Sequence, residues 1–344
     1  MVHPSKTQKI VLGSQGSYLG MEKGCFVVKD KEGNVQRYPI FEKEIDEVIL
    51  KSGNFVSVGA LASLGFWDVD VLIMTQRGKP VAMLKSLSDD SHVQTRICQY
   101  EALKGLRGLE VAKKFVLGKL EGQNQVLSKY GLRQFDSVMV ERIRSLKLEN
   151  LNQLRNKLST YEGHCSEVYF RQIFGLFSEN IRPEHRRTFK AYDGLNNLFN
   201  LGYEFLSWKV HKALVNAKLE PYLGFLHSIQ FSKPSLVCDF QELYRYLIDD
   251  FLIQFYDATG KRDFVVKPEI MSRGKVGKRE YLNDYSTRDL MDNLNRYFEM
   301  TVEISRMRYG KRQTVETLIN EEALLFAQYL RNEKKDWIPR IPQL

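Results

Sequence analysis

Cysteine is scarce in this chain of 344 residues, and no two cysteines form a local pair. Cys25, Cys98, Cys165 and Cys238 are far apart, and no C-x-x-C motif is present. Zinc ribbons and thioredoxin-type sites need such pairs, and disulfide-stabilised domains need a denser set of cysteines. The spacing therefore argues against all three classes and predicts small buried thiols in a reducing compartment.

Long apolar segments are missing as well. The uncharged run from Phe55 to Trp67 is shorter than the roughly 20 residues that a membrane-spanning helix needs. The segment from Met1 to Lys6 is not followed by the apolar stretch of a secretion signal. The P-loop, the dinucleotide-binding glycine fingerprint and the G-x-S-x-G elbow are absent too. We therefore expect a cytoplasmic protein with no membrane attachment.

Positive charge is present in excess, but only in one part of the chain. The net charge is +9, and residues 1–90 hold 11 basic and 11 acidic side chains. The whole excess therefore lies in residues 91–344. Because a basic region attracts polyanions, this distribution favours DNA binding by the second part, although many basic proteins bind no nucleic acid.

The hydrophobic pattern changes near residue 86. Before it, short runs rich in β-branched residues alternate with glycine-containing turns, and Gly33-Asn34 is a hairpin signal. The predicted strands are Lys9–Leu12, Cys25–Lys29, Val35–Ile40, Val48–Leu50 and Val69–Met74, with a helix-like stretch at Ser57–Gly65. We predict an N-terminal β domain over residues 1–85 and a polar linker over 86–91.

Helical periodicity dominates the remainder, residues 92–344. The predicted helices are Tyr100–Leu120, Phe135–Leu158, Glu162–Phe177, Leu195–Ala217, Phe240–Tyr256, Tyr285–Phe298 and Thr314–Glu333, followed by an extended tail. The overall prediction is an α+β protein in which a small N-terminal β-rich domain precedes a larger all-α domain.

Four side chains of this second part could bind a metal ion, although each also has an ordinary structural explanation. Glu162 lies on a largely apolar helix side, where a carboxylate needs a cation or donors, but Ser159 makes it part of a capping-box pattern. His227 follows a stretch rich in proline and glycine, where a lone histidine is usually a surface residue. Asp239 and Glu242 are three residues apart and could face one point from a first helical turn, which acidic residues also favour through the helix dipole.

Basic residues near these positions are candidates for phosphate contacts. Arg171 and Lys233 lie close in sequence to the acidic candidates, and Arg245 could pair with Glu242 or contact a phosphate. Arg273 and Lys275 belong to a glycine-containing basic loop that could follow a DNA backbone or be simply solvated.

The segments around the acidic candidates resemble the CRISPR adaptation integrase family, the catalytic subunit of the complex that captures new spacers. Tyr161-Glu162-Gly163 with Tyr169-Phe170 resembles the family's E-G-x-x-x-x-x-Y-F segment. Gly224–His227 resembles its segment in which histidine follows G-F-x, and Asp239–Glu242 its D-x-x-E helix. Asp193–Tyr203 resembles its D-P-x-N-A-x-L-S-x-G-Y helix, with Gly, Asn and Asn at the Pro, Ala and Ser positions. Lys119–Gln125 resembles its K-x-x-N-Q element, with additional residues.

The resemblance implies a catalytic metal site. Glu162, His227 and Glu242 would bind Mn²⁺ or Mg²⁺, which suit such a hard, oxygen-rich set, and Asp239 would be a fourth ligand or a supporting group. The implied reaction joins the 3′-hydroxyl ends of captured DNA to a CRISPR repeat by transesterification, and the same site would cleave DNA.

The resemblance also implies partners. These are double-stranded DNA, a second copy bound through the N-terminal β domain, and the small ferredoxin-like second adaptation protein. Two rival functions remain: a non-catalytic DNA-binding scaffold, and a stand-alone nuclease that acts on branched DNA in repair.

Overall fold

The chain consists of a β-rich unit followed by a mainly helical one. The structure, a computed structural model, describes residues 8–40, 45–76, 80–86, 93–147, 150–256, 261–270, 276–302 and 313–344. Contacts divide the chain into two compact units, residues 1–91 and 92–344. The predicted α+β class is confirmed. The predicted linker, apart from Ser86, lies outside the described residues.

The first unit holds eight described strands and one helix. They are β1 (Gln8–Leu12), β2 (Tyr18–Glu22), β3 (Cys25–Lys29), β4 (Val35–Pro39), β5 (Ile45–Lys51), β6 (Phe55–Val56), α1 (Val58–Phe66), β7 (Asp70–Met74) and β8 (Pro80–Leu84). One sheet has the order β1-β5-β7-β8, in which β1, β5 and β7 are parallel and β8 is antiparallel. The other has the order β4-β3-β2-β6.

Alternating apolar side chains form the core of this unit, including Ile10, Leu19, Phe26 and Val48, all fully buried. The hairpin predicted at Gly33-Asn34 is confirmed, since β3 and β4 pair antiparallel. Gly33 has φ +86°, a conformation that glycine adopts without strain.

The second unit is built from nine described helices. They are α2 (Val93–Ala102), α3 (Leu106–Lys129), α4 (Ser137–Ser145), α5 (Leu151–Phe174), α6 (Gly194–Asn216), α7 (Ser235–Glu242), α8 (Arg245–Tyr256), α9 (Asp284–Glu299) and α10 (Val315–Leu330). Four strands accompany them: β9 (Phe264–Ile270) pairs with β10 (Val276–Leu282), and β11 (Thr301–Val302) with β12 (Gln313–Thr314). The prediction of an all-α second domain was therefore wrong in this detail.

Several predicted helix boundaries were also wrong. The helix predicted over Tyr100–Leu120 is two helices, because the chain turns at Gly105 between α2 and α3. The capping-box interpretation of Glu162 fails because α5 begins eleven residues earlier, where the side chain of Asn150 accepts from the N–H groups of Asn152 and Gln153. Glu162 therefore lies in the middle of a continuous helix.

Buried aromatic rings join the helices of the second unit. Phe115 of α3, Phe240 of α7 and Phe326 of α10 meet the ring of Trp337 in the C-terminal tail. The Trp337 indole N–H donates to the buried carboxylate of Glu322 at 2.6 Å. The predicted extended tail is thus a packed part of the core. No helix of the described residues is long and apolar enough to cross a membrane.

Candidate active site

Three helices bring a lysine between two carboxylates. Lys119 lies on α3, Glu162 on α5 and Glu242 at the end of α7. The Lys119 Nζ lies 2.5 Å from Glu162 Oε1 and 2.9 Å from Glu242 Oε2. The Lys119 side chain is only 7% exposed, and that of Glu242 only 1%. The two carboxylates that were predicted as metal ligands therefore converge on one cationic atom.

The charges of this cluster stabilise one another. Burial would lower the pKa of the Lys119 ammonium, but the carboxylates of Glu242 and Glu162 outweigh it and hold that pKa above its usual value. Burial would likewise raise the pKa of the Glu242 carboxyl, yet Arg245 and Lys119 lower it to about 2. Arg245 completes the cluster, because its Nη1 lies 2.6 Å from Glu242 Oε1.

His227 is fixed at the edge of the same cluster by a buried carboxylate. Its Nδ1 lies 2.7 Å from Asp239 Oδ1, and Asp239 is fully buried on α7. Burial would lower the pKa of the His227 imidazole, but the bond to Asp239 and the charges of Glu242 and Glu162 raise it. When Nδ1 donates to Asp239, the neutral ring has its lone pair on Nε2, the atom that a metal ion needs.

The backbone around His227 is held from two sides. Asp239 also accepts from the backbone N–H groups of Phe225, Leu226 and His227, at 2.5, 2.9 and 2.8 Å. The carbonyl groups are held by a cation instead. The Arg155 guanidinium donates to the carbonyl oxygen of Phe225 at 2.8 Å and to that of Gly224 at 2.6 Å. Because Arg155 lies on α5 with Glu162, it ties the His227 loop to the helix that carries one of the carboxylates.

The structure separates the roles of the two acidic residues of α7. They do not lie in a first helical turn, since α7 begins at Ser235 and Glu242 is its last residue. Glu242 faces Lys119 and Arg245, whereas both oxygens of Asp239 accept N–H donors. These contacts favour a positioning role for Asp239 over that of a fourth ligand.

The basic residues proposed for DNA contacts have different surroundings. Arg245 belongs to the cluster, and its guanidinium carbon lies 4.8 Å from the centre of the Tyr203 ring. Arg171 pairs with Glu167 on the surface of α5, at 2.6 Å. Lys233 lies in the loop between His227 and α7. Arg273 and Lys275 lie outside the described residues.

A second buried network continues from Arg245. The carboxylate of Asp249 accepts from the hydroxyls of both Tyr203 and Tyr169, the latter at 2.8 Å. Burial raises the pKa of Asp249 to about 6 despite these bonds. The network thus links α5, α6 and α8 directly behind the charged cluster.

The donor set fits a divalent ion, although the ligands are not arranged around one. Across the described ranges, no three His, Cys, Asp or Glu side chains form a group ready to hold a metal. The cation between the carboxylates is instead the Lys119 ammonium. Glu242 Oε2 is buried and accepts no well-directed hydrogen bond there, and an imidazole with two carboxylates is a common Mn²⁺ donor set. These residues could therefore hold Mn²⁺ or Mg²⁺ once the ammonium moves aside.

Two functional contacts were not predicted from sequence. Lys119 was noted only as part of a family element, and its spacing of three and four residues from the apolar Val116 and Phe115 gave the available signal that it is not on a solvated face. Arg155 gave no signal, because contacts with backbone carbonyls leave no pattern in a sequence.

Comparisons with known proteins identify the family of this chain. The family model described as CRISPR associated protein Cas1 matches residues 10–287. A protein of Pyrobaculum aerophilum named CRISPR-associated endonuclease Cas1 2 is 31% identical over 248 residues, which are 72% of this chain and 82% of that protein.

Solved structures share the fold. A casposase bound to integration product has a TM-score of 0.75 at 20% identity, covering 98% of this chain and 94% of that one. A chain of a Cas6-RT-Cas1–Cas2 complex has a TM-score of 0.70 at 17% identity, covering 99% of this chain and 37% of that one. Because the family model matches residues 10–287, most of the chain, this protein belongs to the Cas1 family of CRISPR-associated proteins.

Proposed function

We propose that this protein is a divalent-metal-dependent DNA endonuclease and integrase of CRISPR adaptation. It joins the 3′-hydroxyl ends of captured DNA to a CRISPR repeat by transesterification, in which the attacking 3′-oxygen replaces the leaving 3′-oxygen on one phosphorus atom. The observation that carries the proposal is the convergence of Glu162 and Glu242 on one cation, with the His227 ring beside them.

The protein's own groups have distinct tasks in this proposal. Glu162, Glu242 and Nε2 of His227 would hold Mn²⁺ or Mg²⁺, which when bound would polarise the scissile phosphate and lower the barrier to attack by a hydroxyl. Asp239 keeps the His227 ring in the required tautomer, and Arg155 keeps its backbone in place. Because metal binding needs an unprotonated Nε2, the raised pKa of His227 means that the protonated imidazole would have to give up its Nε2 proton to water before it could act as a ligand.

Electrostatic attraction supports DNA as the substrate. The excess of +9 lies entirely in residues 91–344, the part that carries the site. Lys119 and Arg245 place an ammonium and a guanidinium group within the cluster, where they balance the charges of Glu162 and Glu242. Phosphate oxygens that reach the cluster would meet cationic donors as well as the ion.

The proposed assembly is a homodimer formed through the first unit, acting with the small second adaptation protein. The near-neutral charge of residues 1–90 is compatible with contact between like subunits. The fold likeness to a chain of a Cas6-RT-Cas1–Cas2 complex supports the second partner. Cross-linking of the intact protein should join residues 1–91 of one copy to the same unit of another. Cross-links confined to residues 92–344 would contradict this arrangement.

Strand joining tests the activity. A labelled duplex with 3′-hydroxyl ends is incubated with a plasmid carrying CRISPR repeats, in Mn²⁺, Mg²⁺ or chelator, with and without the second adaptation protein. Joining should require metal and should be lost in Glu162→Gln. The matched control is Glu167→Gln, which changes an exposed carboxylate on the same helix and should retain activity.

The outcomes separate the rival functions. Tight DNA binding without joining or cleavage in any metal would favour a non-catalytic scaffold. Cleavage of branched DNA, with no joining even when the second protein is added, would favour a stand-alone repair nuclease. Equal joining by Glu162→Gln and wild type would overturn the site.

A further inference from the structure

The tail after α10 packs against the helices that carry the active site. Every second side chain from Trp337 to Ile341 is buried, whereas Ile338 between them is 57% exposed. Irregular segments usually run over the surface, so this alternation indicates that one face of an extended segment is inserted between helices. We call residues 337–342 the strap.

A buried carboxylate of α10 anchors the strap. Glu322 is fully buried, and its two oxygens accept from the indole N–H of Trp337 and from the Nε–H of Arg340, each at 2.6 Å. Nη1 of Arg340 also lies 3.2 Å from Glu321 Oε2. Because burial of a carboxylate is costly without donors, these bonds hold the strap in one position.

The strap reaches α3 at the residue before Lys119. A methyl group on Gly118 would lie 2.6 Å from the Leu243 side chain and 3.4 Å from that of Ile341. Leu243 in turn directly follows Glu242. The strap, the end of α7 and the backbone of α3 therefore meet one residue away from both partners of the Lys119–Glu242 ion pair.

The same arrangement recurs one turn further along α3. A methyl group on Gly122 would overlap the ring of Tyr246, and the Tyr246 hydroxyl donates to the carbonyl of Pro342 at 2.6 Å. Tyr246 directly follows Arg245, whose guanidinium pairs with Glu242. The turn from α7 to α8 is therefore held by both α3 and the strap, while its charged side chains face the cluster.

Two glycines make the spacing of these elements depend on the strap. Gly118 and Gly122 lie on one face of α3 and bring no side chain to the contact. The distance between α3 and the turn is therefore set by the side chains of the turn and of the strap that pack over them. A buried ion pair is favourable only when its geometry is good. A small movement of the turn would therefore weaken the ion pairs of Glu242.

We propose that the strap positions the active site: it holds the turn from α7 to α8 against α3 and so fixes Glu242 and Arg245 relative to Lys119. Ile341 and Tyr246 are the positioning residues, and they act through the turn rather than on the reacting groups. The consequence for strand joining rests on the proposed function, whereas the consequence for the ion pair does not.

A double-mutant cycle tests the coupling in urea unfolding, with chelator and without DNA. Ile341→Ala loosens the strap, and Lys119→Met removes the ammonium. If the strap fixes the ion pair, the pair contributes less to stability once the strap is loosened. Lys119→Met should then raise the unfolding equilibrium constant about 2- to 150-fold less in the Ile341→Ala background than in the wild type.

A matched variant separates this coupling from a general loss of stability. Ile143→Ala removes the same atoms from a fully buried site on α4, and in that background Lys119→Met should have its wild-type effect. If Ile341→Ala does not fold, the milder Ile341→Val takes its place in the cycle.

Strand-joining kinetics test the consequence for the site. Because small displacements of reacting groups are costly, kcat should fall about 10- to 100-fold in Ile341→Ala, while KM for DNA and DNA affinity in chelator stay unchanged. Ile341→Val should recover most of kcat. Tyr246→Phe keeps the ring but loses the bond to Pro342, and it should also lower kcat. Tyr244→Phe is its control, since that buried hydroxyl has no hydrogen-bond partner among the described residues and its loss should leave kcat unchanged.

The outcomes distinguish the strap from the proposed function. Additive effects of Ile341→Ala and Lys119→Met would overturn the positioning role. So would a fall in kcat for Ile143→Ala that equals the fall for Ile341→Ala, since loss of stability alone would then explain both. Coupling in a protein that joins no DNA would refute the proposed function and support the strap.

Discussion

Replacing Lys119 with methionine removes the cation that the two carboxylates share. The substitution keeps an unbranched chain in a site where the side chain is 7% exposed, so packing changes little. Loss of one partner from a buried ion pair typically costs about 3–5 kcal/mol, because the other charge stays buried without compensation. Here Arg245 still compensates the charge of Glu242, and the Glu162 side chain is 18% exposed. We therefore expect a cost at the lower end of that range of free energies.

We therefore expect Lys119→Met to lose about 3 kcal/mol of unfolding free energy without metal, a fall in Tm of roughly 6–12 °C for a domain of this size. Mn²⁺ should restore most of the lost unfolding free energy, since a ligand at a free concentration of 100 times its Kd stabilises the folded state by about 2.7 kcal/mol. In the wild type the same Mn²⁺ should raise Tm less, because the ion must first displace the Lys119 ammonium.

Thermal unfolding with chelator and with a series of Mn²⁺ concentrations measures both effects. Lys114→Met is the matched control on the same helix, because its partner Asp336 is 57% exposed and a surface pair contributes about 0–1 kcal/mol. A loss below about 1 kcal/mol in Lys119→Met would refute the counter-ion role. A full loss that Mn²⁺ leaves unchanged would instead refute metal binding at these carboxylates.

Three further predictions concern other parts of the second unit. Gly122→Ala should destabilise the fold by about 1–3 kcal/mol in denaturant unfolding, since the new Cβ would lie 2.3 Å from the Tyr246 ring. Gly163→Ala is the control: its new Cβ would have nothing within 4 Å, so it should stabilise the fold by up to about 1 kcal/mol. Burial raises the pKa of Asp249 to about 6, above its unfolded value of 3.8, so the folded state binds the extra proton and stability should increase as pH falls from about 6 to 4. Asp249→Asn should remove that increase in urea titrations at a series of pH values. An unchanged pH profile in this variant would contradict the prediction. Arg155→Met should reduce strand joining more than DNA binding, with partial rescue by Arg155→Lys, and equal losses of both would count against a positioning role.

The fold was largely readable from local patterns, and the errors have identifiable causes. Alternation and turn residues located β3 and β4, and helical periodicity located the second unit. The hairpin of β9 and β10 was not predicted, and its first strand contains Pro268, a residue that disfavours central strands. A proline is tolerated there because β9 is an edge strand with one partner.

The candidate site was accessible from sequence only in part. Family motifs brought together Glu162, His227 and Glu242, but the three-residue spacing of Asp239 and Glu242 did not indicate that the two carboxylates have different partners. Asp239 accepts from the backbone around His227, whereas Glu242 contacts Lys119 and Arg245. Lys119 was missed as a site residue because burial of a lysine between two carboxylates depends on how three helices pack, which no single segment records.

The charge balance of the cluster links metal binding to DNA binding. Lys119 and Arg245 already neutralise Glu162 and Glu242, and His227 is paired with Asp239. A divalent ion therefore enters a site that is electrically balanced, and its charge is best compensated when phosphate groups arrive with it. We expect DNA with an unreactive 3′-deoxy end to tighten Mn²⁺ binding about 5- to 150-fold, and Mn²⁺ to tighten DNA binding by the same factor.

Titration of Mn²⁺ by electron paramagnetic resonance, with and without that DNA, measures the coupling. Lys119→Met should bind Mn²⁺ more tightly than wild type when DNA is absent, and should gain less from DNA, because the negative charge of its carboxylates is then in excess. Equal Mn²⁺ affinity with and without DNA in the wild type would show that the internal cations do not oppose the ion. In that case Lys119 would have to remain in the loaded site as a group that contacts phosphate, and Lys119→Met would lose strand joining without gaining metal affinity.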